Sequence, residues 1–253
     1  MHRPRKRFGQ HFLEDPGVID AIVGAVAPGP DDLLVEIGPG QGAITEPLAR
    51  LAGTLHAIEF DRDLARALRT RFAGRDSVIV HEADALSFDF ASLGEPLRVV
   101  GNLPYNISTP LLFHLLAFAP RLVDLHFMLQ KEVVDRMAAE PGSRDYGRLT
   151  IMLGCHMRVA HLFDVPPEAF RPAPAVNSAV VRLEPLPAGH YALDHPDTLA
   201  AIVRQAFGQR RKTIRNALRG HADEQQLTAA GIDPGLRPEQ VPIAAWVDLS
   251  NRL

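Results

Sequence analysis

The chain has 253 residues, 46% of them hydrophobic, and a mean hydropathy near zero, which suits one large core or a core with a small appended domain. No apolar run approaches the roughly 18 residues of a membrane span, and no apolar segment follows the basic start as in a signal peptide. We therefore expect no membrane contact. The single cysteine, Cys155, excludes an internal disulfide, which favours a cytoplasmic protein.

Positive charge is concentrated in two short parts of the chain, although the net charge is −3. One is the N-terminal arm, residues 1–13, and the other is 204–219, which has six basic residues and no acidic ones. An acidic body with two basic patches suits a polyanion that is held at defined places. The eleven histidines are scattered, without CxxC or HExxH, so we predict no metal site.

From residue 15 onward, apolar strands alternate with amphipathic helices. A helix begins at Pro16, and further helices are predicted near 43–52, 62–72, 108–116 and 131–139. Strands are predicted at 33–37, 54–60, 77–80, 97–100 and 124–129. This alternation predicts an α/β fold with a doubly wound, mostly parallel sheet.

The pattern changes after Gly147. A helix near 148–157 precedes a proline-rich loop, and 176–183 has the pattern of a strand. Residues 185–189, Pro-Leu-Pro-Ala-Gly, are typical of a linker, and helices follow near 196–207, 210–219, 222–231 and 238–252. We therefore predict a first domain over 1–187 and a small helical domain over 188–253.

A glycine loop follows the strand at 33–37, in the sequence Glu36-Ile-Gly38-Pro-Gly40. Glycines let the backbone approach a ligand at the carboxyl end of a parallel strand. Glu59 ends the next strand, where a carboxylate binds ribose hydroxyls. The loop also satisfies the dinucleotide pattern G-x-G-x-x-G/A, so a nicotinamide dinucleotide and S-adenosylmethionine both remain open, and a tight turn without a ligand is the competing interpretation.

Two acidic residues favour S-adenosylmethionine over a dinucleotide. Glu36 lies where a cationic amino-acid tail would bind, and its charge would repel a pyrophosphate. Asp84, after the strand at 77–80, can accept a hydrogen bond from an adenine amino group, although an isolated Asp is more often a turn residue. The glycine loop, Glu59, Asp84 and Asn102 follow four consecutive strands, which favours one site at one edge of the sheet.

Residues 102–105, Asn-Leu-Pro-Tyr, suit an exocyclic amino group on a flat heterocycle. The Asn102 oxygen and the Leu103 carbonyl can each accept one N–H of an adenine N6, which turns its lone pair toward an electrophilic methyl. Pro104 aims the Leu103 carbonyl, and Tyr105 can stack on the base. Phe170 is either a second stacking face or a core residue. A plain turn is the competing interpretation of the tetrapeptide.

Seven segments of the chain together resemble the small-subunit ribosomal RNA adenine dimethyltransferases. They are residues 5–13 (RKRFGQHFL), 36–40 (EIGPG), 101–108 (GNLPYNIS), 128–132 (MLQKE), 146–149 (YGRL), 176–181 (VNSAVV) and 209–216 (QRRKTIRN). The resemblance covers about residues 5–250 and is closest to the bacterial members. It implies a seven-stranded class I methyltransferase fold with a small C-terminal helical domain.

The resemblance also implies a reaction and a substrate. Four methyl groups in all would pass from S-adenosylmethionine to N6 of two adjacent adenosines in a hairpin loop near the 3′ end of 16S rRNA. The substrate would be a partly assembled small (30S) ribosomal subunit, and the protein would also act in assembly. A monomer is our default expectation.

Carried over by position, the residues that would contact the cofactor are His11, Leu13, Gly38, Glu59, Asp84 and Asn102, and those that would address the base are Asn102, Leu103, Tyr105 and Phe170. The reasoning from the loops adds Glu36 and Gly40 to the cofactor-binding set and Pro104 to the catalytic set. His11 stands where the family usually has Asn, which would make its contact to the cofactor sensitive to pH.

The basic residues predicted to bind RNA are Arg5, Lys6, Arg7, Arg210, Arg211, Lys212, Arg215 and Arg219. A helix over 210–219 would bury Ile214 and Leu218 on one stripe. It would then align Arg211, Arg215 and Arg219 on another face, as a row for phosphates. A solvated surface is the competing interpretation of such a charge run.

Three other functions compete with RNA dimethylation. A DNA adenine methyltransferase would need a target-recognition domain, which the sequence lacks. A non-catalytic RNA-binding assembly factor would not need the intact series of Gly38, Glu59, Asp84 and Asn102. A nicotinamide-dependent oxidoreductase would need hydride-transfer residues, and we find none.

Overall fold

A seven-stranded sheet organises the computed structural model, which describes residues 11–104 and 107–253. Its strands are β2 (Leu33–Ile37), β3 (Thr54–Glu59), β4 (Val78–Glu82), β5 (Leu97–Asn102), β6 (Leu122–Gln130), β7 (Met157–Val165) and β9 (Ser178–Pro185). They lie in the order β4-β3-β2-β5-β6-β9-β7. A separate antiparallel pair joins β1 (Phe12–Leu13) to β8 (Phe170–Arg171).

The five strands from β4 to β6 in this order are parallel, and β9 is antiparallel to β6. The apolar side chains of the central strands β2 and β5 are mostly buried, as in Leu34, Val35 and Val99, because helices cover both faces of such a sheet. This confirms the predicted α/β fold. Since β2 to β5 are parallel neighbours, the residues that end them gather at one edge of the sheet.

Ten α-helices occur among the described residues: α1 (Pro16–Val26), α2 (Thr45–Ala49), α3 (Arg62–Arg71), α4 (Ser108–Leu116), α5 (Lys131–Met137), α6 (Arg148–Gly154), α7 (Pro196–Gly208), α8 (Ile214–Ala217), α9 (Glu224–Ala229) and α10 (Ile243–Asn251). Asp15 caps α1 by accepting a hydrogen bond from the Val18 N–H at 2.9 Å, as expected of an N-cap aspartate. Across the described ranges, no helix has the length and apolar composition to cross a membrane.

The chain forms two compact units, and each is made of two chain segments. The first comprises the described residues up to Val134 together with Ala160–Pro185, and the second comprises Asp135–Val159 together with Leu186–Leu253. The predicted boundary near 187 lies close to the last crossing between them. The assignment of 135–159 to the first domain was wrong, because Tyr146, Ile151 and Cys155 lie in the buried core of the second unit with Leu199 and Trp246.

Two local predictions also differ from the structure. Strand β7 was not predicted between the helix near 148–157 and the proline-rich loop. It lies at the sheet edge, where its buried and exposed side chains do not alternate, so its sequence lacks the period of a strand. The helix predicted over 210–219 covers only 214–217. The N–H groups of Ile214 and Arg215 instead donate to Leu236 and Pro234, which keeps the preceding residues out of the helix.

Candidate active site

A cavity of about 300 Å³ opens at the edge where β2 to β5 end in the first unit. It brings together the described residues that the sequence predicted for the cofactor and the base: His11, Leu13, Glu36, Gly38, Gly40, Glu59, Asp84, Asn102, Leu103, Pro104 and Phe170. Tyr105 lies outside the described residues. A single cavity with apolar walls and a few polar groups is the usual form of a cofactor site.

The glycine loop after β2 lies against the end of β3. Gly38 and Gly40 have φ angles of 68° and 58°, a left-handed conformation that glycine adopts without strain. The Gly38 N–H donates to the Ile58 carbonyl at 2.9 Å, and the Gly40 N–H donates to Oε2 of Glu59 at 3.0 Å. A Cβ on Gly40 would also approach the Phe12 ring to 3.3 Å. Both glycines are therefore needed for the backbone to line the cavity.

Glu59 is buried and braced by backbone. Besides Gly40, its carboxylate accepts a hydrogen bond from the Asp61 N–H at 2.8 Å. Burial raises the pKa of Glu59, whereas these backbone N–H groups lower it. The carboxylate retains further lone pairs toward the cavity, which suits vicinal hydroxyls as ligands.

Glu36 has no exposed surface, and neither of its carboxyl oxygens has a hydrogen-bond partner among the described residues. Burial raises the pKa of Glu36 to about 8; the nearby Thr45 hydroxyl opposes this shift, and repulsion from Glu59 adds to it. A buried carboxyl without a partner is costly. A cationic group of a ligand would satisfy it.

Asp84 lines the same cavity from the loop after β4. Its Oδ1 accepts a hydrogen bond from the Leu86 N–H at 2.9 Å. Asp84 therefore does stabilise a turn, as the alternative interpretation of the sequence predicted. This hydrogen bond uses Oδ1 and leaves Oδ2 for a ligand.

Asn102 ends β5, and its amide is oriented by the N-terminal segment. Its Nδ2 donates to the backbone carbonyl of His11 at 3.2 Å. Because a carbonyl only accepts, this bond leaves Oδ1 as the amide atom available for a ligand N–H. The Leu103 N–H donates to the Met128 carbonyl at 3.2 Å, which fixes the backbone next to it. Two acceptors, Asn102 Oδ1 and the Leu103 carbonyl, thus follow each other at the cavity.

Phe170 belongs to β8, opposite Leu13 of β1. Its side chain is only 6% exposed and packs in the apolar core of the first unit, and it also lines the cavity. The two interpretations of this residue are compatible, because one part of the ring can pack in the core while another borders the cavity.

Phe60 lines the cavity but was not predicted from the sequence. Its side chain is 60% exposed, the largest exposed fraction among the exposed large hydrophobic residues of the described ranges. An aromatic ring exposed directly after Glu59 suits stacking on a flat ring system. Its position after the carboxylate that ends β3 is the signal that could have identified it.

The predicted basic residues fall into two groups. Arg5, Lys6 and Arg7 lie outside the described residues. In the second unit, Arg210 binds the carbonyls of Ser143 and Arg144, and Arg215 forms an ion pair with Glu224 at 2.8 Å. Arg211 and Lys212 are exposed.

The predicted row of Arg211, Arg215 and Arg219 was wrong. Helix α8 ends at Ala217 and does not include Arg211 or Arg219, and the side chain of Arg219 donates to Asn216 at 3.2 Å. The three arginines still lie close together in the sequence, but they are not aligned on one face of a helix.

The whole chain, residues 1–253, matches the sequence profile of the family described as "Ribosomal RNA adenine dimethylase". The chain belongs to this family. Curated relatives include Ribosomal RNA small subunit methyltransferase A of Aromatoleum aromaticum, 57% identical over 99% of this chain and 94% of the relative. The protein of the same name from Pseudomonas syringae pv. tomato is 56% identical over 100% of this chain and 96% of the relative.

Two solved structures resemble this member of the family over nearly its full length. A dimethyladenosine transferase from Plasmodium falciparum has a TM-score of 0.80 at 26% identity, covering 94% of this chain and 96% of that one. The 23S rRNA methyltransferase ErmE has a TM-score of 0.74 at 28% identity, covering 96% and 99%. The fold thus also occurs in a methyltransferase that is named for 23S rRNA.

Proposed function

We propose that this rRNA adenine dimethylase transfers methyl groups from S-adenosylmethionine to N6 of two adjacent adenosines in the 3′-terminal hairpin loop of 16S rRNA. The observation that carries the proposal is the oriented Asn102 amide, in one cavity with the Glu36 and Glu59 carboxylates. The name of the relatives above 50% identity, Ribosomal RNA small subunit methyltransferase A, supports the choice of the small subunit. We propose that the protein acts as a monomer on assembling 30S subunits in the cytoplasm.

The cavity residues fit the charge and shape of the cofactor. Glu36, whose oxygens have no partner in the described protein, would hold the ammonium of the methionine part. Glu59 would accept from the ribose hydroxyls, Asp84 would accept from the adenine amino group, and Phe60 would stack on its ring. When bound, the cofactor supplies the electrophilic methyl group.

Asn102 and Leu103 would activate the nucleophile by hydrogen bonding. The N6 lone pair of adenine is delocalised into the ring and is a poor nucleophile. Two acceptors that each bind one N–H favour a pyramidal nitrogen and stabilise the positive charge that develops. A strong base is unnecessary because the product ammonium is very acidic. Positioning therefore accounts for most of the catalysis.

Phe170 and Tyr105 would hold the base as stacking faces. Stacking of a nucleobase on an aromatic side chain contributes about 1–3 kcal/mol. Phe170 is already fixed by its core contacts and by its pairing opposite Leu13. A preordered ring avoids part of the entropy cost of holding the base.

Methyl transfer to isolated small subunits tests the proposal. Subunits from cells that lack this modification are incubated with the protein and methyl-labelled S-adenosylmethionine, and the digested RNA is analysed by mass spectrometry. We expect two adjacent N6,N6-dimethyladenosines, and a loss of about 10²–10³ in kcat for Asn102→Ala.

A binding titration separates the competing functions. Binding of NAD instead of S-adenosylmethionine would contradict the proposal and favour an oxidoreductase. Binding of S-adenosylmethionine and subunits without methyl transfer would instead favour a non-catalytic assembly factor.

A further inference from the structure

His11 makes hydrogen bonds to two separate parts of the first unit, Asn102 and Pro172. Its backbone carbonyl accepts from Nδ2 of Asn102 at 3.2 Å. Its Nδ1 lies 2.7 Å from the carbonyl oxygen of Pro172. Because that oxygen can only accept, Nδ1 carries the hydrogen. His11 thus contacts both the Asn102 amide, which is proposed to bind the base, and the loop that carries Phe170.

The residues that follow His11 are joined to the same loop by backbone contacts. Phe12 and Leu13 pair with Arg171 and Phe170. The Glu14 and Asp15 N–H groups donate to the Ala169 carbonyl at 2.8 and 3.2 Å. Residues with other side chains could make these backbone bonds. The bond to Pro172 is different, because it depends on the side chain at position 11.

We propose that His11 is a positioning residue, which holds the Phe170 loop at a fixed distance from Asn102 during methyl transfer. This role is additional to a cofactor contact at position 11, and it rests on the proposed function. Residues 171–173 of the loop are exposed, so the imidazole adds a tether at a point that core packing does not hold. Small displacements matter here, since a misplacement of about 1 Å can cost about 10²-fold in rate.

Substitution of His11 by asparagine or by glutamine distinguishes the roles of the two imidazole nitrogens. An asparagine at this position places its side-chain N–H close to where Nδ1–H lies, whereas a glutamine places it closer to Nε2. His11→Asn therefore retains the donor to Pro172. His11→Gln moves that donor away, and His11→Ala removes it.

The experiment measures kcat and KM for small subunits and for S-adenosylmethionine in the full-length protein. We expect His11→Ala to lower kcat about tenfold, as for the loss of one hydrogen bond in the transition state. His11→Asn should recover most of this loss, and His11→Gln should remain close to His11→Ala. Thermal unfolding of each variant shows whether the comparison concerns folded protein, and the Asn and Gln variants carry the test if the Ala variant unfolds.

A double-mutant cycle with Phe170→Ala tests whether His11 acts through the loop. We expect His11→Ala to add little to the effect of Phe170→Ala, since both changes affect the same contact with the base. Fully additive losses would overturn the proposal. Recovery by Gln rather than Asn, seen as a restored KM for S-adenosylmethionine, would also overturn it and assign His11 to the cofactor. Absence of methyl transfer by the unmodified protein would instead refute the proposed function.

Discussion

The Gly40 N–H donates a hydrogen bond to Oε2 of Glu59 at 3.0 Å, which joins the glycine loop after β2 to the end of β3. The other carboxylate oxygen accepts from the Asp61 N–H at 2.8 Å. Glu59 therefore shapes the loop that borders the cavity and is also the proposed ligand of the ribose. Its two roles can be tested together.

Glu59→Gln is expected to weaken S-adenosylmethionine binding about 10–100-fold. Gly40 and Asp61 donate to different carboxylate oxygens, and glutamine replaces one of these oxygens by an NH2 group that cannot accept. A hydrogen bond to a charged group contributes about 1.5–3 kcal/mol. Titration calorimetry measures the affinity. The matched control is Glu82→Gln, at the end of β4, where the carboxylate is 40% exposed and pairs with Arg69. Equal affinities of the two variants would contradict the role of Glu59.

The stability of the ligand-free protein should fall between pH 5 and pH 8 because of Glu36. Burial raises the pKa of Glu36 to about 8 from its ordinary value of 4.5. In this range the folded state binds more protons than the unfolded state, so the contribution of Glu36 is fully present at low pH and is lost as pH rises, by about 1.4 kcal/mol per pH unit. Urea unfolding at several pH values should show a flatter profile for Glu36→Gln. Identical slopes would contradict the prediction.

Binding of S-adenosylmethionine at pH 7 is expected to release close to one proton. Glu36 is mostly protonated there, given a pKa of about 8, and it must ionise to pair with an ammonium group. The α-amino group of the ligand has a pKa of about 7.7–8.0 and remains protonated at pH 7. Calorimetry in buffers of different ionisation enthalpy counts the protons. Glu36→Gln should release none; release of one proton by this variant would assign the effect to another group.

Leu103→Pro is expected to stop the reaction at monomethyladenine. After the first transfer N6 has one N–H, so one of the two acceptors loses its partner, and a stiffer loop would accommodate the new methyl less well. The substitution also removes the hydrogen bond from the Leu103 N–H to the Met128 carbonyl. Leu103→Ala retains this bond and is the control for loss of the leucine side chain. The measured quantity is the ratio of monomethyl to dimethyl product. An unchanged ratio would refute the hypothesis.

Arg211→Glu is expected to weaken subunit binding and to reduce its salt dependence. The logarithm of the binding constant decreases with the logarithm of the salt concentration. The steepness of this decrease should fall by about one for each phosphate that the protein no longer neutralises. Arg211 is exposed in the second unit, whereas Arg215 already pairs with Glu224. The matched control is Arg252→Glu, which changes an arginine that pairs with Asp248. S-adenosylmethionine affinity should not change; a weaker affinity would indicate a structural role.

The strand ends were the most predictable part of the structure. Short apolar runs such as 33–37 and 97–100 are stable in few arrangements other than a buried parallel strand. The parallel arrangement then brings Glu36, Glu59 and Asn102 to one edge. The orientation of the Asn102 amide could not be predicted, because it depends on a carbonyl 91 positions away in the chain.

The sequence-based predictions that were wrong or incomplete share one cause: each of these segments takes its structure from tertiary contacts. Strand β7 pairs at the sheet edge without an alternating pattern, and helix α8 is short because Ile214 and Arg215 bind a distant loop. The placement of 135–159 depends on the partners of Tyr146, whose hydroxyl donates to the Val241 carbonyl at 2.8 Å. Local sequence contains none of these partners.

The interleaved segments of the two units constrain how the chain folds during its own synthesis. Tyr146, Ile151 and Cys155 leave the ribosome before the residues that bury them, since Leu199 and Trp246 follow much later. At about 5–20 residues per second, translation of 186–253 takes roughly 3–14 s. During this interval the apolar side chains of 135–159 lack their native partners, so the nascent chain is most vulnerable to aggregation and proteolysis just before its last helix emerges.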